Sequence, residues 1–542
     1  MFCVVKSSLN ELRVLVNARF ASKEPWQIAA ITATSLLSFM WLHDLLTADE
    51  GVKKRLLKTF FKWAKKIPYV RKRVDDELNK ISSQFEKDIH KRVQNVPYIT
   101  ALPEKGFSDE EIVNMAKSYL NLGTFNWKEG KVSGAVYYYD PKLIELNTQI
   151  YGMTSYTNPL HPDVFPGVSK MEAEVVRMVA ELFHGGPNAC GTMTTGGSES
   201  IILACKAYRD YARERGIVKP NIVMPVTAHS AFDKAAQYFG IGVRTVRIDP
   251  ETTLVDLKAM KRAINGNTCM LVASAPNFPY GTMDDVQGVA KLGLKYNIPV
   301  HVDACLGGFV IAFMRKAGFD LPPFDFEVEG VTSISADTHK YGFAPKGSSV
   351  ILYSDKKYRE HQFVVTTDWP GGVYGSPTIN GSRTGGIIAA CWATLLRFGV
   401  TGYVEATKKI VETTRYIENE IRKMDEVFVI GKPATSVVAI GSKVFDIYHL
   451  ADKLSGAGWC INILQFPSAI HICLTHVHTQ NGIADQFLND LRTCIAEIMK
   501  NPTAPVEGKM AIYGMAQSVP DRSTVTAFTK CYISSMYYTP SK

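Results

Sequence analysis

Six short apolar runs recur between residues 221 and 353: NIVMPV (221–226), VRTVRI (243–248), CMLVASA (269–275), IPVHVDA (298–304), VTSISA (331–336) and SSVILY (348–353). Each has the length of a strand, and longer stretches with helical periodicity separate them. A strand that is apolar at successive positions must be covered on both faces, so the pattern dictates an α/β domain with a mainly parallel sheet between layers of helices. Ligands of such sheets gather at the carboxyl ends of the strands, so the informative residues are those that follow each run. After a helical stretch at 403–423, the runs VFVIG, TSVVAIGS and AIHICLT predict a smaller α+β domain.

Four positions at strand ends carry chemistry. GTMTTGGSES (191–200) runs into a helical pattern. Gly196 and Gly197 admit a close approach of backbone N–H groups, Ser198 adds a hydroxyl, and the positive end of the following helix suits a phosphate. Asp303 ends IPVHVDA, where a carboxylate can pair with a protonated pyridine nitrogen and keep the ring electron-withdrawing. Lys340, just beyond VTSISA, offers an amine for a Schiff base, provided burial and the cations His339 and Lys346 hold its pKa down. His229, in TAHSAFDKA after NIVMPV, can stack on a cofactor ring. Read singly, each has a plainer alternative: a turn that only starts a helix, an N-cap aspartate, a solvated lysine, a histidine at a helix start. Taken in order, with 37 residues from Asp303 to Lys340, they describe a site for an aromatic phosphate cofactor.

Charge and cysteines exclude other classes. The net charge of +9 might point to nucleic acid, but residues 51–73 hold ten Lys and Arg and no acid, which leaves the remainder near −1. No nucleic-acid partner is expected. Ten cysteines from Cys3 to Cys531 form no C-x-x-C pair and no zinc-ligand spacing, so the chain is expected in a reducing compartment without a structural metal.

The basic block follows PWQIAAITATSLLSFMWLH (25–43), which has no Asp, Glu, Lys or Arg. At ~1.5 Å per residue it is just long enough for a hydrocarbon layer of ~30 Å. Trp26 and Trp41 sit near its ends, where indoles favour the interface. A spanning anchor is expected rather than a signal peptide, because the run is long and lacks a clean cleavage site. Four Lys and Arg precede it and ten follow, which places the C-terminal bulk in the cytosol. Leu56, Phe60, Ala64 and Ile67 recur at helical spacing inside the basic block, as suits a helix on an anionic membrane or a plain solvated basic helix. The sequon at Asn380 falls in the cytosolic part and is expected to be unglycosylated. The expected division is thus a short lumenal N-terminus (1–24), a transmembrane helix (25–46), a basic juxtamembrane and helical segment (47–135), a large cofactor-binding domain (136–400), a small C-terminal domain (401–510) and a tail (511–542).

The order and spacing of the four site elements resemble the fold-type I pyridoxal-phosphate enzymes, in particular the group that contains amino-acid decarboxylases. The longer motifs NPLHPDVFPG, HVDACLGGF, SISADTHKYGFAPKGSSVILYSDKKYR, GGVYGSPTINGSR and AIYGMAQS together resemble the sphingosine-1-phosphate lyase family, from the anchor to near the C-terminus. The resemblance implies pyridoxal 5'-phosphate as cofactor, with Lys340 as the Schiff-base lysine, Asp303 as partner of the pyridine nitrogen and His229 as the stacking imidazole. It implies that Gly197, Ser198 and His339 hold the cofactor phosphate, joined by Ser382 from a second subunit of a homodimer with shared sites. Tyr137, His161 and Lys346 match positions that contact the substrate phosphate, and Tyr374 lines the site. The implied substrate is a phosphorylated sphingoid base, cleaved at C2–C3 to a long-chain aldehyde and phosphoethanolamine by an enzyme of the endoplasmic reticulum membrane. Tyr280, where a histidine is common, together with Gly375 and Asn380, departs from the family pattern and leaves the chemical residues untouched. Two alternatives stay open at this point: an α-decarboxylase on the same frame, and a noncatalytic membrane scaffold.

Overall fold

The computed structural model describes residues 13–47, 52–93, 96–504, 506 and 521–539. The AIYGMAQS motif (511–518) and the first twelve residues lie outside the described residues. The chain divides into two compact units, residues 13–87 with 521–538 and residues 88–506 with Thr539.

In the larger unit, β1 (Cys190–Thr194), β2 (Asn221–Pro225), β3 (Gly242–Val246), β4 (Thr268–Ser274), β5 (Val300–Asp303), β6 (Val331–Ala336) and β7 (Ser349–Tyr353) form one sheet in the order β1-β7-β6-β5-β4-β2-β3. From β3 to β6 every pairing is parallel, whereas β7 is antiparallel to both β6 and β1. The link 337–348 contains no helix, so the chain returns beside β6 as a hairpin instead of crossing over. Alternate residues of β4 feed opposite cores. Leu271 and Ala273 join the cluster around Val179, Phe183 and Phe309, while Met270 and Val272 join the cluster around Tyr208 and Phe232 on the other face. That division is why the run carries no alternation.

A second sheet of β10 (Phe428–Val429), β11 (Val437–Gly441), β13 (Ala469–Cys473) and β12 (Asn462–Leu464) is antiparallel throughout. It packs with the helices Ile447–Gly456 and Ile483–Ile498 around Trp459 and Phe487. A short hairpin pairs β8 (Val364–Thr366) with β9 (Tyr374–Ser376).

The helix Gly385–Ile421 passes from one core to the other through a break at Gly399, whose φ of 55° and ψ of −172° suit a residue without Cβ. Among the described residues it is the helix long and apolar enough to cross a membrane. Its apolar residues have another use: Ile388, Cys391 and Ile410 are buried in the core of the large sheet, and Ile417 and Ile421 in that of the small one. The expected anchor at 25–46 forms a helix, Pro25–Thr47, with Trp26, Leu36, Leu37, Phe39, Met40 and Trp41 exposed.

The smaller unit also contains the helices Val52–Ala64, Pro68–Arg92 and Arg522–Ser535. Its best-defined contact is Lys65, whose amine lies 2.6 Å from Asp521 Oδ2 and donates to Ser523 and Thr524. Asp521 also caps the last helix through the Ser523 N–H. Burial works to raise its carboxyl, but Lys65 and the two hydroxyls outweigh this and hold it at about 2.

Candidate active site

Beyond the end of β6, the chain turns through Asp337, Thr338, His339 and Lys340. Lys340 N donates to Asp337 O at 3.3 Å and Ala344 N to Thr338 O at 3.0 Å, closing a tight loop. Gly342 is required there, since a Cβ would stand 2.5 Å from Thr338 O. Tyr341, fully buried, anchors the loop to the smaller sheet: its hydroxyl donates to Leu474 O at 2.6 Å and lies 2.5 Å from Ser436 Oγ.

The loop aims Lys340 into the interior. Its Nζ lies 2.9 Å from Oδ2 of Asp337, a carboxylate that is 2% exposed. The other oxygen of Asp337 is buried without a hydrogen-bond partner among the described residues. Asp337 also faces the glycine turn after β1, where a Cβ on Gly197 would stand 2.8 and 2.9 Å from the two carboxylate oxygens and 2.7 Å from Cys305 Sγ. His339 completes this side: its Nε2 is 3.7 Å from Asp337 Oδ2, and its Cε1 is 3.4 Å from where a Cβ on Gly196 would lie. Asp303, at the end of β5 and 7% exposed, accepts from the Cys305 N–H at 3.0 Å. It does not cap the helix Gly308–Met314, whose N-cap is Gly307.

The electrostatics correct one expectation. Burial works to lower the Lys340 amine, but the Asp337 carboxylate in contact with it wins, and the amine is held well above the ordinary lysine value. The expected depression falls instead on Lys346, lowered by its own burial and by the charge of Lys340. Among the described residues Lys346 has no carboxylate in contact; its Nζ donates to His339 O at 3.3 Å and lies 4.7 Å from the centroid of the Tyr137 ring. Burial also pushes His339 down. It pushes the Cys305 and Cys473 thiols and the Tyr137 phenol up, so these three are neutral near pH 7.

Tyr137, His339 and Lys346 border a cavity of about 490 Å³. Its remaining wall is mostly apolar and includes Val136, Leu143, Ile144, Phe343 and Ile387. The cavity therefore joins the amine of Lys346, with Asp140 also on its wall, to a mostly apolar surface.

The other expected residues make no hydrogen bond or ion pair with Lys340 or Asp337 among the described residues. Ser198 is exposed in the first turn of the helix Gly197–Glu214. His229 follows β2 on the same edge of the sheet, its Nδ1 accepting from Ala231 N at 3.1 Å and its ring 6.5 Å from that of Phe278. His161 lies in an exposed turn, Tyr374 in β9 with its ring 6.2 Å from Trp369, and Ser382 on an exposed segment before the helix Gly385–Ile421. No hydrogen bond or ring contact joins these last three to Lys340 or Asp337 among the described residues. Asp337 is the site residue that the sequence left without a role. A carboxylate three residues before a lysine, at the mouth of a buried strand, was its signal.

A partly buried amine and two buried carboxylates at adjacent strand ends, with a glycine turn across from them, define the class of α/β enzymes that work through a lysine-held aldehyde cofactor. Residues 94–443 match the family described as the pyridoxal-dependent decarboxylase conserved domain. Over 528 residues the chain is 63% identical to the sphingosine-1-phosphate lyase of Drosophila melanogaster, covering 97% of each. It is 51% identical to sphingosine-1-phosphate lyase 1 of Rattus norvegicus, over 97% of this chain and 92% of that one. Among solved structures, the sphingosine-1-phosphate lyase of Burkholderia pseudomallei matches with a TM-score of 0.72 at 41% identity, covering 74% of this chain and 94% of that chain. The chain belongs to the sphingosine-1-phosphate lyase family, within the pyridoxal-dependent decarboxylases.

The residues present fit pyridoxal phosphate. A Cβ on Gly197 would fill the cradle opposite Lys340, and Asp337 Oδ1 is a buried acceptor in need of a donor. The donor set has an amine for an aldehyde, carboxylates for a cationic ring and glycine N–H groups for a phosphate.

Proposed function

We propose that this enzyme cleaves the C2–C3 bond of phosphorylated sphingoid bases by a retro-aldol reaction, releasing a long-chain aldehyde and phosphoethanolamine. The observation that carries this reading is the cavity in which Lys346 and Tyr137 stand at one end of an apolar wall beside the Lys340 loop. Such a space suits an anionic head on a hydrocarbon body.

When bound, pyridoxal phosphate supplies an aldehyde that takes up amines and a ring that accepts the electron pair of the broken bond. Lys340 would hold it, and Asp303 would keep a proton on its ring nitrogen. His229 would lie against the ring. Gly197, Ser198 and His339 would bind the phosphate, with Ser382 of a second copy, in a homodimer that shares its sites. Lys346, Tyr137 and His161 would neutralise and orient the phosphate of the substrate, with Tyr374 lining the entrance. Each role is supported by the motif in which the residue stands.

The same proposal places the helix Pro25–Thr47 across the endoplasmic reticulum membrane with the catalytic unit in the cytosol. Supporting this are its exposed apolar and indole side chains and the basic block that follows. A substrate with a long apolar tail is concentrated in bilayers, so an anchored enzyme finds it there.

Purified enzyme incubated with a phosphorylated sphingoid base should yield long-chain aldehyde and phosphoethanolamine in equal amounts. Release of CO2 from labelled amino acids, without those two products, would replace the lyase by a decarboxylase.

A further inference from the structure

Asp337 has no part in the chemistry above, yet its position is the most constrained in the site. It is buried, its Oδ2 is 2.9 Å from Lys340 Nζ, its Oδ1 is unpaired among the described residues, and Gly197 faces both oxygens within the reach of one missing Cβ. One buried anion thus lies between the amine that must attack and the turn proposed to hold a phosphate. Two electrostatic conflicts follow. An ammonium has no lone pair with which to attack an aldehyde carbon. An ionised carboxylate beside a phosphate repels it strongly where little water screens the pair.

We propose that Asp337 is a catalytic residue, the proton acceptor of Lys340: as the cofactor enters, the proton crosses from Nζ to Oδ2. The transfer leaves a neutral, nucleophilic amine and a neutral carboxyl whose O–H can donate. One proton moves, no net charge is created, and no further reactant is needed. The reverse transfer restores the ion pair whenever the lysine is released. The same step removes the negative charge that would oppose a phosphate at Gly197.

The other groups facing the amine do not compete for this role. His339 and Lys346 come from its own loop, Cys305 and Asp303 from β5 and the turn after it, Tyr137 from the segment before the helix Pro141–Thr154, and Cys473 from β13. Burial keeps both thiols and the phenol protonated and so unable to accept. The Lys346 amine is spent on His339 O, and His339 stands 3.7 Å from Asp337 with its Nδ1 taken by Ser348 N. Asp303 spends an oxygen on Cys305 N, and Asp337 alone of these groups is the lysine's recorded salt-bridge partner among the described residues.

The inference rests on Lys340 being the reactive amine, and the test separates the two. Pyridoxal phosphate is added to full-length apoenzyme carrying ¹³C-labelled aspartate, infrared difference spectra are taken, and the same samples are reduced with borohydride and mapped by mass. A protonated-carboxyl stretch should appear on addition, shift with the aspartate label and vanish in Asp337→Asn, with the reduced tag on Lys340 in both proteins. In apoenzyme, the pH midpoint for reductive methylation of Lys340 should be lower in Asp337→Asn by about 1–3 pH units, the ordinary effect of losing an opposite charge in contact. A tag on Lys340 with no new carboxyl band, or with an unmoved midpoint, overturns the role of Asp337 alone. A tag elsewhere overturns it together with the site. Should Asp337→Asn fail to fold, the isotope-edited spectrum of the unaltered enzyme decides by the presence or absence of the band.

Discussion

The ammonium of Lys346 lies over the ring of Tyr137, with Nζ 4.7 Å from the centroid, at the border of the cavity beside the Lys340 loop. A cation held on an aromatic face and lowered in pKa by burial and by Lys340 is only partly satisfied by protein, which leaves it ready for an anionic ligand.

Lys346→Met should therefore weaken handling of the phosphorylated substrate while leaving cofactor binding intact. Lys346 stands exposed at the cavity border, so loss of its charge opposite a phosphate costs about 1 kcal/mol, which predicts a fall in kcat/KM of roughly fivefold. Steady-state kinetics alongside the cofactor absorbance spectrum measure it; unchanged kinetics would remove Lys346 from the substrate site.

Lys340→Ala should abolish turnover, and it should also destabilise the protein. The lysine is 24% exposed on its side chain, but its partner Asp337 is 2% exposed and would be left as a lone buried anion. A cost of about 3 kcal/mol is expected at neutral pH, the lower end for breaking a buried pair. Adding Asp337→Asn to the alanine variant should restore most of that loss in thermal unfolding without restoring activity.

Gly197→Ala tests the cradle. Its Cβ would meet Cys305 Sγ at 2.7 Å and Asp337 Oδ1 at 2.8 Å, and the surrounding core is too well packed to yield. Overpacking of this kind costs about 1–3 kcal/mol, and the apoenzyme should take up pyridoxal phosphate more weakly, as read by equilibrium dialysis. Normal uptake would move the phosphate site away from this turn.

Two fully buried histidines set an acid limit. His301 lies 2.8 Å from Ser333 Oγ and 3.1 Å from Ser335 Oγ, and His471 donates to Pro279 O at 2.9 Å. Burial lowers both from 6.5 to about 4. Between those values the unfolded chain binds more protons than the folded one, so their contribution is complete above pH 6.5 and is lost as pH falls toward 4. Each accounts for a loss on the order of 3 kcal/mol. In His301→Gln or His471→Gln, unfolding free energy should change less between pH 7 and pH 4 than in the unaltered enzyme, whatever the absolute stability; an unchanged slope would show that the histidine is charged when folded.

The six apolar runs are strands β2 to β7: β2 and β4 to β7 were legible because burial on both faces leaves its mark in composition, whereas β3, an edge strand buried only at Val246, was legible from its valines, threonine and isoleucine. β1 was not. CGTMT contains a glycine and two threonines, and it is a strand because Gly191 lets the backbone of β7 approach closely at Ile351. The hairpin of β8 and β9 escaped for a similar reason: β8 is exposed along its whole length, so its residues carry no burial pattern.

The sequence by itself determined that the carboxylate of Asp303 and the amine of Lys340 follow apolar strands, and it showed the glycine turn by its own residues without the strand before it, because burial pattern and side-chain chemistry are local properties. Only the tertiary structure decided that Asp337 touches the lysine, that the lysine is raised rather than lowered, and that the long apolar helix Gly385–Ile421 is a core element. Electrostatic shifts and burial depend on what lies within a few ångströms through space, and that neighbourhood comes into being when segments as far apart as Gly197, Cys305 and Asp337 fold against one another.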